Sequence, residues 1–454
     1  MVLNKKLEEL NDFFEKNWKA DNFDLYSKRA RLFPNGKRNL EDVNVSTSIF
    51  LASLVGIKEF REKIISSIDD KNSSSITNKT AELHAFVEIG KKEERPDGLI
   101  VLTTGKTEKT VSWAAYIEVK TKGNLEKSQI EKYLERAKSD GVPCIITISN
   151  NFVTHSNINP TGIDKNNLFH WSWKWILSEL KMLSVNKLIT DSDQSYMAEE
   201  FIKYLEGHKD IKDFNSMGET WKEDVKYLQD HKDSKNLKNN SSQIVSIANS
   251  WIQEEKDISI KLSTEKINDK CYKVDLDLTK DEQQSNKRRF EKIAKEVYEK
   301  KLISTSFGLK SLDKRVFSSS KSKISLIVDF IEKCCRISIN IPAIKDKKAV
   351  AQATDFLKKI DGIGKENEFR VRAIFNGNKR NSDLFLVKDF QYRKEKFNEC
   401  ILIPEEMKKE QVKEFEISYK YEFEKDFYSP YKFVENIEKA VLTFYSQVVG
   451  NFIK

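Results

Sequence analysis

The sequence is poor in the residues that punctuate or staple a chain. Its 454 residues include only 15 Gly, 7 Pro and 5 Cys. So little glycine excludes a collagen-like repeat, and no heptad pattern persists long enough for a coiled-coil rod. The cysteines, Cys144, Cys271, Cys334, Cys335 and Cys400, are odd in number and irregular in spacing. None falls in a C-x-x-C pair, which argues against both a disulfide framework and a zinc site. The five histidines, His84, His155, His170, His208 and His231, never pair at metal-ligand spacing. No apolar run approaches the roughly 18 residues that cross a bilayer. The opening Met1-Val2-Leu3-Asn4-Lys5-Lys6 turns polar at once and lacks the apolar stretch of a secretory leader. A cytoplasmic location is therefore expected.

Aromatic residues are abundant: 27 Phe, 14 Tyr and 7 Trp can fill real cores, which excludes wholesale disorder. The net charge of +8 is unevenly spread. Residues 1–210 hold 31 basic and 31 acidic side chains, and residues 211–454 hold 48 and 40. A basic half beside a neutral one points to a polyanionic partner.

The spacing of apolar residues predicts helices over 1–30 and 46–68, then short strands at 82–90, 97–103 and 113–120. Gly105 marks the turn between the last two strands. Gly105-Lys106-Thr107 lacks the earlier glycine of a phosphate-binding loop, because position 100 is Ile100. A helix capped by Asn124 and stopped by Gly141 follows, and then a buried strand at 143–149. Residues 168–171 add a further strand, and helices at about 172–185 and 191–206 close the unit. The expected organisation is an α/β N-terminal domain over 1–207, a helical linker region over 208–256, and an α+β domain over 257–454. Strands are expected there at 271–278 and 384–390, among others. Lys287, Arg288, Arg289 and Lys292 read as a basic helix face.

One constellation carries chemistry: Pro96-Asp97, then Glu118-Val119-Lys120, then Gln129-x-x-x-Tyr133. A hairpin can bring Asp97, at the start of one strand, to Glu118, near the end of the next. The two-residue period of a strand sends Glu118 and Lys120 to one face and Val119 to the other. Two carboxylates and an ammonium then share a small site, and hard oxygen donors of this kind suit Mg²⁺ or Mn²⁺. Gln129 and Tyr133, four apart, lie on one face of the following helix.

This cluster resembles the PD-(D/E)XK nuclease superfamily, and the Gln-x-x-x-Tyr element resembles its RecB-like branch. The resemblance covers roughly residues 40–205. It implies an αβββαβ mixed-sheet, restriction-endonuclease-like core. It implies metal ligation by Asp97 and Glu118, catalysis by Lys120, and Gln129 and Tyr133 lining the site. Glu82 is the first choice for a further acidic ligand, with Glu88, Glu41 and Asp42 as rivals. The implied activity is Mg²⁺-dependent hydrolysis of nucleic-acid phosphodiester bonds, leaving 5′-phosphate and 3′-hydroxyl ends. DNA is the expected substrate ahead of RNA. A homodimer and a role in bacterial defence or restriction follow by analogy alone. The alternative is a non-catalytic nucleic-acid-binding or scaffolding protein on the same fold.

Overall fold

Between residues 82 and 172 apolar side chains occupy both faces of successive strands, so the sheet they form must be covered on both sides. The computed structural model describes residues 1–18, 24–33, 42–68, 76–78, 80–88, 95–153, 156, 159–211, 213–231, 241–309, 323–344, 347–360, 363, 368–377, 381–391 and 402–452. Cys400, His155 and Glu41 lie outside them. The chain divides into one unit of Met1–Asp213 with Gln283–Asn286, and a second of Phe214–Glu282 with Lys287–Lys454.

The first unit runs α1 (Glu9–Trp18), α2 (Val43–Gly56), α3 (Lys58–Ile65), β1 (Glu82–Val87), β2 (Gly98–Thr104), β3 (Thr110–Val119), α4 (Lys127–Asp140), β4 (Cys144–Ser149), β5 (Leu168–Ser172), α5 (Trp173–Val185) and α6 (Ser192–Gly207). Its five strands lie in sequence order. β1, β2 and β3 are antiparallel neighbours, and β3, β4 and β5 are parallel. Ile117, Val119, Ile146, Ile148, Phe169 and Trp171 form one core with residues of α2, α3, α5 and α6. Leu99, Val101, Ala114, Tyr116, Ile145 and Leu168 form another with residues of α1 and α4. Burial on both faces explains why β2 and β4 read as continuous apolar runs.

Local chemistry alters several expected boundaries. Of the helix expected over 1–30, the described residues hold α1 and a 3₁₀ turn at Tyr26–Lys28. The one expected over 46–68 is two helices bent by 106°, because Ile57 is extended and the Lys58 N–H is taken by Gln194 Oε1 at 2.7 Å. Asn124 is not a cap; α4 starts after Glu126. It ends as expected at Gly141, whose φ of 70° is the left-handed conformation glycine adopts freely. Among the described residues no single helix is long and apolar enough to cross a membrane.

The second unit contains α7 (Trp221–Asp230), α8 (Ser242–Thr264), β6 (Lys266–Ile267), β7 (Lys270–Cys271), β8 (Asp275–Leu276), α9 (Lys280–Gln284), α10 (Asn286–Lys300), β9 (Leu302–Gly308), β10 (Lys323–Asp329), β11 (Cys334–Pro342), α11 (Ala349–Lys359), β12 (Arg370–Phe375), β13 (Phe385–Leu386), α12 (Val387–Gln391), β14 (Val412–Glu422), α13 (Pro430–Phe444) and α14 (Gly450–Phe452). Seven strands form an antiparallel sheet in the order β13-β12-β14-β11-β10-β9-β8. The region 208–256 is no linker beyond Asp213. Trp221, Val225, Leu228, Ile244, Ile247 and Trp251 of α7 and α8 share one core with the sheet residues, and Trp221 Nε1 donates to the Phe427 carbonyl at 2.8 Å.

Both outer strands of this sheet are two residues long. The predicted strand over 384–390 shrinks to β13, and the one over 271–278 splits into β7 and β8. Side chains take over where pairing stops. On β9 the Ser304 N–H donates to Glu296 Oε2 at 2.8 Å, and the Ser304 carbonyl accepts from Arg289 Nη2 at 3.3 Å. On β12 the Ala373 N–H donates to Ser382 Oγ at 2.7 Å. Arg289 itself is 2% exposed, with Nε 2.8 Å from Glu255 Oε1 and Nη1 3.1 Å from Glu282 Oε1. The expected basic helix face is therefore split, with Arg289 turned into the core.

Candidate active site

The β2–β3 register places Gly98 opposite Ile117, so Asp97 falls opposite Glu118. Asp97 is held by the backbone: its Oδ2 accepts from the Val119 N–H at 2.7 Å. Gly98, next to it, meets α2 closely. A Cβ built there would lie 2.6 Å from Leu51 Cδ1 and 3.3 Å from the Phe86 carbonyl oxygen. A side chain at the Gly of Pro96-Asp97-Gly98 would therefore oblige Leu51 to shift.

Glu118 is 1% exposed, and Lys120 Nζ lies 2.9 Å from its Oε1. Lys120 is anchored at both ends of its peptide unit. Its N–H donates to the Ile148 carbonyl at 2.8 Å, and its carbonyl accepts from Trp173 Nε1 at 3.1 Å. From α4, Gln129 Nε2 donates to Tyr133 Oη at 3.0 Å, and Tyr133 donates to the Arg95 carbonyl, also at 3.0 Å. The helix is locked down by Tyr116 Oη donating to Asp140 Oδ2 at 2.6 Å, while Arg136 binds the same carboxylate and stacks 4.0 Å from the Trp18 ring centroid. An open groove of about 670 Å³ follows α4 past Gln129 and Tyr133, with Lys132 and Arg136 on its wall.

The electrostatics follow from burial and proximity. Burial raises the Asp97 carboxyl above its ordinary range, against the pull of the Val119 N–H and Lys120. Burial, and then the Asp97 charge, push Glu118 up to about 7. Burial works against the Lys120 ammonium, but Glu118 and then Asp97 outweigh it and hold its pKa above the usual lysine value. Lys120 is therefore a donor here and not a base. Burial, then Glu118, keep the Tyr133 phenol protonated far above neutral pH.

Glu82 does not join this site. It faces Thr103, five register steps from the Val87–Gly98 pair, roughly 17 Å along the strand. Its carboxylate pairs with Lys109 and lies 3.9 Å from His84 Nε2. Glu88 is better placed: it follows Val87, and its N–H donates to the Asp97 carbonyl at 3.0 Å. Its side chain is 3.6 Å from Arg95, and among the described residues no third acidic or histidine ligand atom joins Asp97 and Glu118. Asp42 caps α2 through the Asn44 N–H.

No protein family, curated protein or solved structure matches the chain.

The register continues the site sideways. Glu118 pairs with Thr147 on β4, and Thr147 with His170 on β5. A polar row therefore crosses the sheet from Glu88 through Asp97, Glu118 and Thr147 to His170. His170 Nδ1 is 2.8 Å from Thr147 Oγ1, and its Nε2 is 2.9 Å from the Asn151 carbonyl. Asn159 Nδ2 donates to Thr147 Oγ1 at 2.8 Å. Burial lowers His170 to about 4, so it stays neutral. The lone threonine inside Cys144-Ile145-Ile146-Thr147-Ile148 was the available sign of this row.

Proposed function

We propose that the first unit is a metal-dependent nuclease with a PD-(D/E)XK, restriction-endonuclease-like core, acting on nucleic-acid phosphodiester bonds, DNA ahead of RNA. The observation that carries this reading is the Glu118 carboxylate, buried opposite Asp97 with the Lys120 ammonium 2.9 Å away. Two neighbouring carboxylates beside one ammonium favour a further cation, and an all-oxygen pair fits Mg²⁺ or Mn²⁺. Asp97 and Glu118 would hold the ion, which supplies charge neutralisation and Lewis-acid assistance at phosphorus.

The side chains divide the remaining work. The Val119 N–H fixes Asp97 Oδ2. The Lys120 ammonium, positioned by Glu118, can donate to the attacking water or to a non-bridging phosphate oxygen. Gln129 and Tyr133 pin the Arg95 carbonyl and so set the entry of the chain into Asp97. The α4 groove offers Lys132 along a path for the phosphate backbone, between the acidic Glu126 and Glu135 and an Arg136 already held by Asp140.

Plasmid DNA, single-stranded DNA and RNA incubated with the full chain test the reading. Cleavage is expected with Mg²⁺ or Mn²⁺, and neither in EDTA nor by Asp97→Ala. Salt-sensitive binding without cleavage in any metal would replace it with a non-catalytic nucleic-acid-binding protein.

A further inference from the structure

The second unit holds a buried charge cluster that the nuclease reading does not use. Glu254, Asp257 and Lys261 lie three and four residues apart on α8, so they share one helix face. That face meets Glu438 of α13. One oxygen from each of Glu254, Asp257 and Glu438 lies within 4.8 Å of the others. Lys261 Nζ is 2.8 Å from Asp257 Oδ2 and 2.5 Å from Glu438 Oε1. Asp257 and Glu438 are thereby partnered. Glu254 is not: it is fully buried, and neither of its oxygens meets a hydrogen-bond donor among the described residues.

Three carboxylates around one ammonium leave an excess of negative charge in the interior, where an uncompensated carboxylate is costly. We propose that Glu254, Asp257 and Glu438 form a site for a hard divalent cation, with the Lys261 ammonium holding the ion's place when it is absent. The donors are all oxygen, with no imidazole or thiolate, which selects Ca²⁺ or Mn²⁺ over Zn²⁺. Two oxygens on opposite sides of Ca²⁺ stand roughly 4.6–5.2 Å apart. The three oxygens lie within 4.8 Å of one another, close enough for all of them to reach one such ion. The way in is also visible. Asp257 is closed to solvent, but the Lys261 and Glu438 side chains are 24% and 15% exposed. An ion enters as Lys261 swings outward, and it then ties α8 to α13. The competing occupant is a proton on Glu254, whose carboxyl burial and then Glu438 and Asp257 hold well above its ordinary range.

The full chain carrying Asp97→Ala and Glu118→Gln removes the first unit's carboxylate pair from the measurement. After EDTA treatment, titration calorimetry with Ca²⁺ and with Mn²⁺ should show one site. Adding Glu254→Gln should weaken it by at least about 10-fold, since a ligand charge is lost. Adding Lys261→Met should strengthen it by about 10-fold, because the competing ammonium is gone. Circular dichroism should show both variants folded, since each replacement is close in volume. Absence of binding in the parent, or binding indifferent to both substitutions, overturns the proposal. So does a Glu254→Gln chain that melts at or above the parent and shows no response to ion, because a proton then fills the role. None of these outcomes depends on whether the first unit cleaves nucleic acid.

Discussion

Lys120 Nζ stands 2.9 Å from Glu118 Oε1. The lysine is therefore held by charge beside a candidate metal ligand. If it serves only as a point charge for phosphate, Lys120→Arg should keep much of the cleavage rate. If it orients the attacking water, the wider planar guanidinium cannot replace it. We expect cleavage by Lys120→Arg and Lys120→Ala to fall by at least about 100-fold. Nucleic-acid affinity should fall far less, since one phosphate contact among several is a minor part of binding. Paired rate and affinity measurements on the same preparations decide this, and near-normal cleavage by Lys120→Ala would remove the catalytic role.

His170 gives a pH signature of stability. Its folded pKa is lowered from 6.5 to about 4 by burial, so the unfolded chain takes up the proton first. Stability is complete above about pH 6.5 and is lost as pH falls towards 4, by up to about 3 kcal/mol. Glu118, raised from 4.5 to about 7, acts in the opposite direction over the same window. The readout is therefore the difference between the urea-melt stability curves of the parent and of His170→Asn. That difference should shrink as pH drops from 6.5 to 5; parallel curves would mean that His170 is not buried neutral.

Arg289 should be the most sensitive cation of the second unit. Removing it strands the Glu255 carboxylate in the core, where its remaining partner is the Thr305 hydroxyl at 2.8 Å. Arg289→Ala should cost about 3–5 kcal/mol, the usual penalty for breaking a buried pair from one side. Glu255→Met with Arg289→Met should recover most of it. A loss below about 1 kcal/mol in the single variant would show that the pair is solvated.

Gly98→Ala should destabilise the first unit by about 1–3 kcal/mol through overpacking against Leu51. Leu51→Ala costs stability alone, but in the double variant the two losses should not add. Additive losses would mean that the new methyl is blocked by backbone instead.

The elements of the site that local periodicity controls were legible in the sequence. Glu118 and Lys120 follow from strand alternation, Asp97 from the hairpin between neighbouring strands, and Gln129 and Tyr133 from the helical repeat. What depended on the register of strands beyond that hairpin was not legible. Choosing Glu82 over Glu88 required knowing which end of β1 lies beside Asp97, and the register fixes that. Thr147 and His170 join Glu118 only because the α4 crossover sets β4 and β5 at one particular height. Arg289 sits among Lys287, Arg288 and Lys292, and nothing in that run tells which one turns inward. Likewise the polar composition after Gly207 concealed the apolar stripes of α7 and α8.

The dwarfed outer strands of the seven-stranded sheet bear on how this protein can meet another. A sheet recruits a foreign strand through a row of unused main-chain donors and acceptors. Here Glu296 and Arg289 occupy the peptide groups of Ser304, and Ser382 occupies that of Ala373. Beyond the two-residue outer strands, these peptide groups of β9 and β12 are already occupied by side chains, which disfavours pairing with a foreign strand there. A partner strand would have to displace those side chains before it could extend the sheet at these positions.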